Sequence, residues 1–202
     1  WERAHVSYGG FGLAAWLKNG ANEAELKQLF RGWKHRMNTA EDLVAIHLRL
    51  SQALNEQGSL CALFQSRYQE NSAEQITAFC SFFEGKPTRG KRWRGTGLEW
   101  FASSPAKGGT SKRLMMWLRW MIREDGIDPG TWKHLIDQRY PTPLTSRLFY
   151  PVDTHIFRWA RSQGIVTNKN PTWKSVEQIT QTLREINPVD PVKYDFALCH
   201  LG

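Results

Sequence analysis

The sequence predicts an all-α chain folded as two helical lobes, and three observations carry that expectation. Apolar residues recur at three- and four-residue steps along most of the 202 residues. No stretch alternates apolar and polar residues as a half-buried strand does, and no segment repeats at a fixed period. A chain of this length suits one domain with a sizeable core, or two lobes sharing one core.

Taken in order, the first helix is expected over Asn22–Met37, with Leu26, Leu29, Phe30 and Trp33 on one face. Thr39, with Asp42 at the reciprocal position, caps a second helix whose inward stripe is Leu43, Ile46, Leu50 and Leu54, and Gly58 ends it. A short helix follows over Ser59–Phe64, then another over Ser72–Phe83, with Ser72 and Gln75 as its capping box. These four pieces are scaffold and make residues 1–84 an N-terminal lobe.

Residues 85–109 change character. They hold six glycines, Gly85, Gly90, Gly95, Gly97, Gly108 and Gly109, together with Pro87 and Pro105, and read as a linker or a binding loop. Helical periodicity returns over Ser111–Arg123, with Leu114, Leu118, Met121 and Ile122 inward. It continues through Pro129–Gln138, Asp153–Gln163, Pro171–Ile186 and Pro191 to the end, so that residues 110–202 form the second lobe.

The formal charge is +8 and the excess is local: Lys86–Arg113 carries eight Lys or Arg residues against the single acid Glu99. A polyanion is the natural partner, and a solvated basic loop is the plainer alternative. Ten tryptophans are present, several beside cations, as in Lys91-Arg92-Trp93-Arg94 and Leu118-Arg119-Trp120. Aromatic faces next to cations suit stacked bases.

Three widely spaced cysteines, Cys61, Cys80 and Cys199, argue against a disulfide framework and cannot ligate an iron–sulfur cluster with four thiolates. A reducing compartment is expected. No apolar run is long enough to cross a bilayer, and Trp1-Glu2-Arg3-Ala4-His5 lacks the order of a signal peptide. The expected location is cytoplasmic and nucleoid-associated, with no membrane partner. Because the chain starts without Met and stops inside an expected helix, the natural protein is expected to extend past one or both ends.

Two side chains stand out for chemistry. Lys107-Gly108-Gly109-Thr110-Ser111 fits a glycine hairpin opening a helix, where backbone N–H groups face a phosphate, although a plain turn has the same composition. Lys112 falls in the first turn of that helix, where a cation opposes the positive end of the macrodipole. With partial desolvation this favours the neutral amine, lowering its pKa from about 10.4 and making a nucleophile. Asp153 follows Pro151 at the threshold of a helix, where its simplest role is the N-cap. Its neighbours Val152, Ile156, Phe157 and Trp159 are apolar, so the carboxylate is held at the edge of a low-dielectric pocket, fit to stabilise a sugar cation or to take a proton from Lys112. His155 reads as structural or phosphate-facing, since one His beside one Asp is poor metal-ligand evidence. No metal and no cofactor is expected.

Pro151-Val152-Asp153-Thr154-His155, preceded by a glycine hairpin with a lysine, resembles the catalytic region of the helix–hairpin–helix DNA glycosylase superfamily. Ser111–Leu114, Leu118–Arg123, Asp125–Asp128, Asp190–Leu198 and the Gly58–Phe64 element extend the likeness, from about residue 25 onward, to a bacterial conserved family of unknown function related to archaeal-type 8-oxoguanine DNA glycosylases. The resemblance implies a two-lobed fold with a helix–hairpin–helix element and base excision repair as the activity. An oxidised purine, 8-oxoguanine foremost, would be cut from double-stranded DNA by a monomer with glycosylase and AP lyase activity. It places the nucleophile on Lys112, with Lys107 as the second candidate, and the essential carboxylate on Asp153. Lys107, Gly108, Gly109, Thr110, Arg89, Arg92 and His155 would hold the DNA backbone, and Tyr194, Asp195, Phe196 and Trp120 would line the base pocket. Two other functions stay open: a non-enzymatic helix–hairpin–helix DNA-binding protein, and a helical domain whose basic face meets an acidic protein.

Overall fold

The computed structural model describes residues 12–19, 22–35, 38–84, 102–135 and 143–198. The fold is all-α, as expected. Among the described residues the strand content is a two-residue antiparallel pair, β1 (Lys34–His35) with β2 (Asn38–Thr39), and one isolated bridge.

The chain separates into two compact units, Trp1–Arg67 with Phe79–Phe101, and Tyr68–Ala78 with Ala102–Gly202. The expected division at residues 84/85 therefore differs from the observed one, in which residues 68–78 join the C-terminal unit.

In the first unit, α1 (Leu13–Lys18), α2 (Glu23–Leu29) and α3 (Ala40–Gln57) share a core of Leu17, Leu26 and Val44, against which Trp16, Phe30, Leu50 and Leu54 pack. The Ser51 hydroxyl donates to the Leu17 carbonyl at 2.7 Å, satisfying a polar group inside that core. The helix expected over Asn22–Met37 stops at Leu29. Gly32 adopts φ 76°, the chain turns there, and the β1–β2 pair leads into α3. α3 has the predicted capping box at Thr39 and Asp42, and Gly58, at φ 78°, ends it. Its fully buried positions are Val44, Ser51 and Ala53, while Leu43, Ile46, Leu50 and Leu54 are half-buried.

α4 (Leu60–Ser66) is capped by the Ser59 hydroxyl, which accepts the Ala62 N–H at 3.0 Å. In α5 (Ser72–Phe83) the cap is Asn71, whose Oδ1 accepts the N–H groups of Ala73 and Glu74 at 2.8 and 3.3 Å. The expected Ser72–Gln75 capping box is thus replaced by an asparagine one residue earlier. Gln75 is buried, and its Oε1 accepts from Arg147 at 3.0 Å.

The second unit holds α6 (Lys112–Ile122), α7 (Thr154–Ser162), α8 (Trp173–Ile186) and α9 (Asp195–Leu198), with 3-10 turns at Pro105–Lys107 and Leu144–Arg147. Leu114, Met115 and Leu118 of α6, Ile156 and Phe157 of α7, and Val176 and Ile179 of α8 are all buried. The helix expected over Pro129–Gln138 is absent as far as Leu135, and residues 136–138 lie outside the described residues. In its place the Asp125 side chain accepts the Ile127 and Asp128 N–H groups, both at 2.7 Å, and Gly130 takes φ 56°, which folds the chain back against α6. Similarly, the helix expected from Pro191 begins only at Asp195, after a turn; residues 199–202 lie outside the described residues.

Candidate functional site

Two helix starts in the second unit bring the predicted pair together. Ser104 caps the Pro105–Lys107 turn, Gly108 follows in the left-handed region at φ 78°, and α6 begins at Lys112. The Gly108 carbonyl accepts the Trp173 N–H at 2.8 Å, tying the glycine turn to the start of α8. Tyr150, Pro151 and Val152 run as buried backbone into Asp153, the N-cap of α7.

The two oxygens of Asp153 have separate partners. Oδ1 accepts the Ile156 N–H at 2.9 Å, and Oδ2 lies 2.9 Å from Lys112 Nζ. The two side chains are 39% and 30% exposed, so the pair is partly desolvated and still open to a ligand. Burial alone would push the Asp153 carboxyl up, but the Ile156 N–H and the Lys112 ammonium more than offset it and hold Asp153 below the usual carboxylate range. A carboxylate so held keeps its negative charge beside a cation; it is a poor acceptor for the Lys112 proton. Of the two alternatives for Asp153, charge stabilisation therefore fits the site better than proton abstraction.

The residue before Lys112 carries a signal that sequence patterns do not give. Ser111 has φ 49°, the single positive φ outside glycine among the described residues. It is 7% exposed, and its hydroxyl finds no hydrogen-bond partner and caps nothing. Left-handed backbone and an unsatisfied buried hydroxyl each raise the local free energy, a pattern that accumulates at functional positions. A serine ahead of a helix ordinarily reads as its cap, which is why the strain was invisible in the sequence.

The remaining predicted residues scatter. Lys107, Gly108 and Gly109 are exposed in the turn and Thr110 is half-buried, while His155 is exposed in the first turn of α7. Of the two candidate lysines, Lys112 is the one at Asp153. Arg89 and Arg92 lie outside the described residues, as do all of residues 85–101. Tyr194 is half-buried with the Lys193 ammonium 5.9 Å from its ring centre, and Trp120 and Phe196 are exposed. Asp195 is engaged by Arg119, which sits two helical turns beyond Lys112 on α6.

Arg119 itself corrects an expectation. The sequence groups it with Trp120 as a cation beside a stacking ring, yet it is 7% exposed and bonded to Asp128 at 2.9 and 3.1 Å as well as to Asp195. Arg123, one turn on, binds Asp125, Asp128 and Asp190. This network pins the chain after α6, and the segment leading into α9, to the α6 flank.

Among the described residues, no group of three or more His, Cys, Asp or Glu side chains is placed to hold a metal ion, and no helix is long and apolar enough to cross a membrane.

The fold and site define a helical protein with a half-open lysine–carboxylate pair at two helix N-termini. The chain belongs to the family described as "Protein of unknown function (DUF2400)", whose model matches residues 10–202. No curated protein and no solved structure matches it.

Proposed function

We propose that this protein is a DNA glycosylase with AP lyase activity, removing an oxidised purine, 8-oxoguanine foremost, through a Schiff base on Lys112. The observation that supports it most is the 2.9 Å approach of Lys112 Nζ to an Asp153 carboxylate that the α7 cap keeps ionised. The excess of basic residues over Lys86–Arg113 supports a polyanionic substrate. The damaged nucleotide is swung out of the duplex, at a few kcal/mol of unstacking. Lys112, once deprotonated, attacks the anomeric carbon as the glycosidic C–N bond breaks, and the departing base takes up a proton. Asp153 stabilises the cationic sugar as it forms. Ring opening gives the imine, β-elimination breaks the C3′–O bond, and water then hydrolyses the imine to free Lys112.

Borohydride added during reaction with an 8-oxoguanine duplex tests this reading. A covalent protein–DNA adduct is expected from the wild type and from Lys107→Gln, and none from Lys112→Gln, which should still bind the duplex. A normal adduct from Lys112→Gln would remove Lys112 from the role. A non-enzymatic DNA-binding protein is the second reading, and the capping bond from Ile156 to Asp153 favours it, because a cap needs no chemistry. That reading requires duplex binding with no base release from any lesion.

A further inference from the structure

A second polar site lies elsewhere in the C-terminal unit, apart from Lys112 and Asp153. A hollow of about 340 Å³ opens between the Asn71-Ser72 turn that starts α5, Phe149, and one face of α8 carrying Glu177, Gln181 and Arg184. These three α8 positions follow the i, i+4, i+7 pattern of a single helical face.

The hollow is lined by one cation, Arg184, and one acid, Glu177. Arg184 is half-buried; its Nε and Nη2 donate to the Ser146 and Leu148 carbonyls at 3.3 and 3.2 Å, and its guanidinium lies 5.0 Å from the centre of the Phe149 ring. Both acceptors are neutral, and among the described residues no carboxylate is within ion-pair distance of Arg184. Glu177 makes no ion pair with it, the two standing about 10 Å apart along α8. Moreover, the Glu177 Oε1 already accepts the Trp173 indole N–H at 3.0 Å. A second guanidinium stands close by. Arg147 is held by the Gln69 and Glu70 carbonyls and by Gln75 Oε1, and burial together with this neighbouring charge pushes Arg184 below the usual arginine range. The 12-residue helix α5 adds the positive end of its macrodipole at Asn71-Ser72. A half-buried cation without an ion-pair partner gains from an anion supplied by a ligand.

We propose that this hollow binds a phosphate group, with Arg184 as its principal cation, the Asn71-Ser72 turn as a second contact and Gln181 at the rim. Guanidinium geometry matches a tetrahedral oxyanion, which accepts from two of its N–H groups at once. The phosphate belongs either to a DNA backbone or to a small phosphorylated ligand, and the two sources separate experimentally.

Inorganic phosphate is the first probe. At 10 mM, against sodium chloride of equal ionic strength, it should raise the melting temperature of the wild type by about 3 °C. Arg184→Gln should lose that shift. Gln181→Glu changes an exposed side chain, so it should keep the wild-type circular dichroism and melting temperature in chloride while also losing the phosphate shift. No shift in the folded wild type, or a full shift in both variants, would overturn the proposal. The second probe is an undamaged duplex. Affinity lowered threefold or more by Gln181→Glu assigns the phosphate to DNA, and unchanged affinity beside a lost phosphate shift assigns it to a small ligand.

Discussion

Lys112 opens one helix and Asp153 caps another, and their side chains meet at 2.9 Å across 41 residues of sequence. Because Asp153 uses one oxygen for the cap and the other for the lysine, its two roles can be separated by substitution. Asparagine caps as well as aspartate, so Asp153→Asn should change the stability to urea by less than about 1 kcal/mol. The same change removes the negative charge and, on the proposed glycosylase reading, should slow single-turnover base release by roughly 100-fold or more. Asp153→Ala should lose the cap as well, at a further cost of about 1 kcal/mol.

Ser111 holds a left-handed backbone with a buried, unsatisfied hydroxyl. Replacement by glycine removes both costs, and Ser111→Gly should raise stability by about 1 kcal/mol in urea unfolding. A loss of stability on this change would show that the serine side chain contributes a contact the structure does not contain.

Gly130 sits where no side chain fits. A Cβ there would lie 2.5 Å from the Glu124 Cβ and 3.0 Å from its Cα, at φ 56°. Gly130→Ala should destabilise the protein by about 2–4 kcal/mol and lower its melting temperature accordingly.

Asp128 is 1% exposed and depends on Arg119 and Arg123 for its charge balance. Arg119→Met leaves Asp128 with one guanidinium and strips Asp195 of its ion pair, and should cost about 3 kcal/mol. Combined with Asp128→Asn, the loss should fall short of the sum by about 1–3 kcal/mol in a double-mutant cycle.

Acid should act through the depressed carboxyls. The Asp128 N–H, against the opposing effect of burial, and with the Ile127 N–H and Arg123 adding to it, brings Asp125 to about 2, and Asp153 also lies below its usual range. Groups lowered in the folded state contribute their stability in full above the unfolded value near 4 and lose it as pH falls through the folded value. Urea midpoints should therefore decline between about pH 5 and pH 2, with a shallower decline in Asp153→Asn. The Asp125 contribution is small because that side chain faces water.

Local signals were legible where the physics is local. The Thr39–Asp42 box, the Gly58 stop, the Ser59 start and the Asp153 cap each depend on residues within a few positions, and each is found. The errors arise where distant residues decide. Phe30 and Trp33 extend a helical spacing that the turn at Gly32 cuts short. Gln75 looks like a cap partner until Arg147, 72 positions away, claims it. Arg119 looks like a surface cation because its partner Asp195 is 76 positions on. The Lys112–Asp153 meeting was expected from the chemistry of an amine and a carboxylate and from family likeness, since nothing in local pattern joins residues 41 apart.

The bond from the Trp173 amide to the Gly108 carbonyl makes the turn ahead of Lys112 depend on a helix start that comes later in the chain. A nascent chain that has left the ribosome as far as α7 carries both Lys112 and Asp153, yet the loop ahead of the lysine still lacks its anchor. That anchor arrives with the first turn of α8, so the turn ahead of Lys112 is completed only by residues made after Asp153.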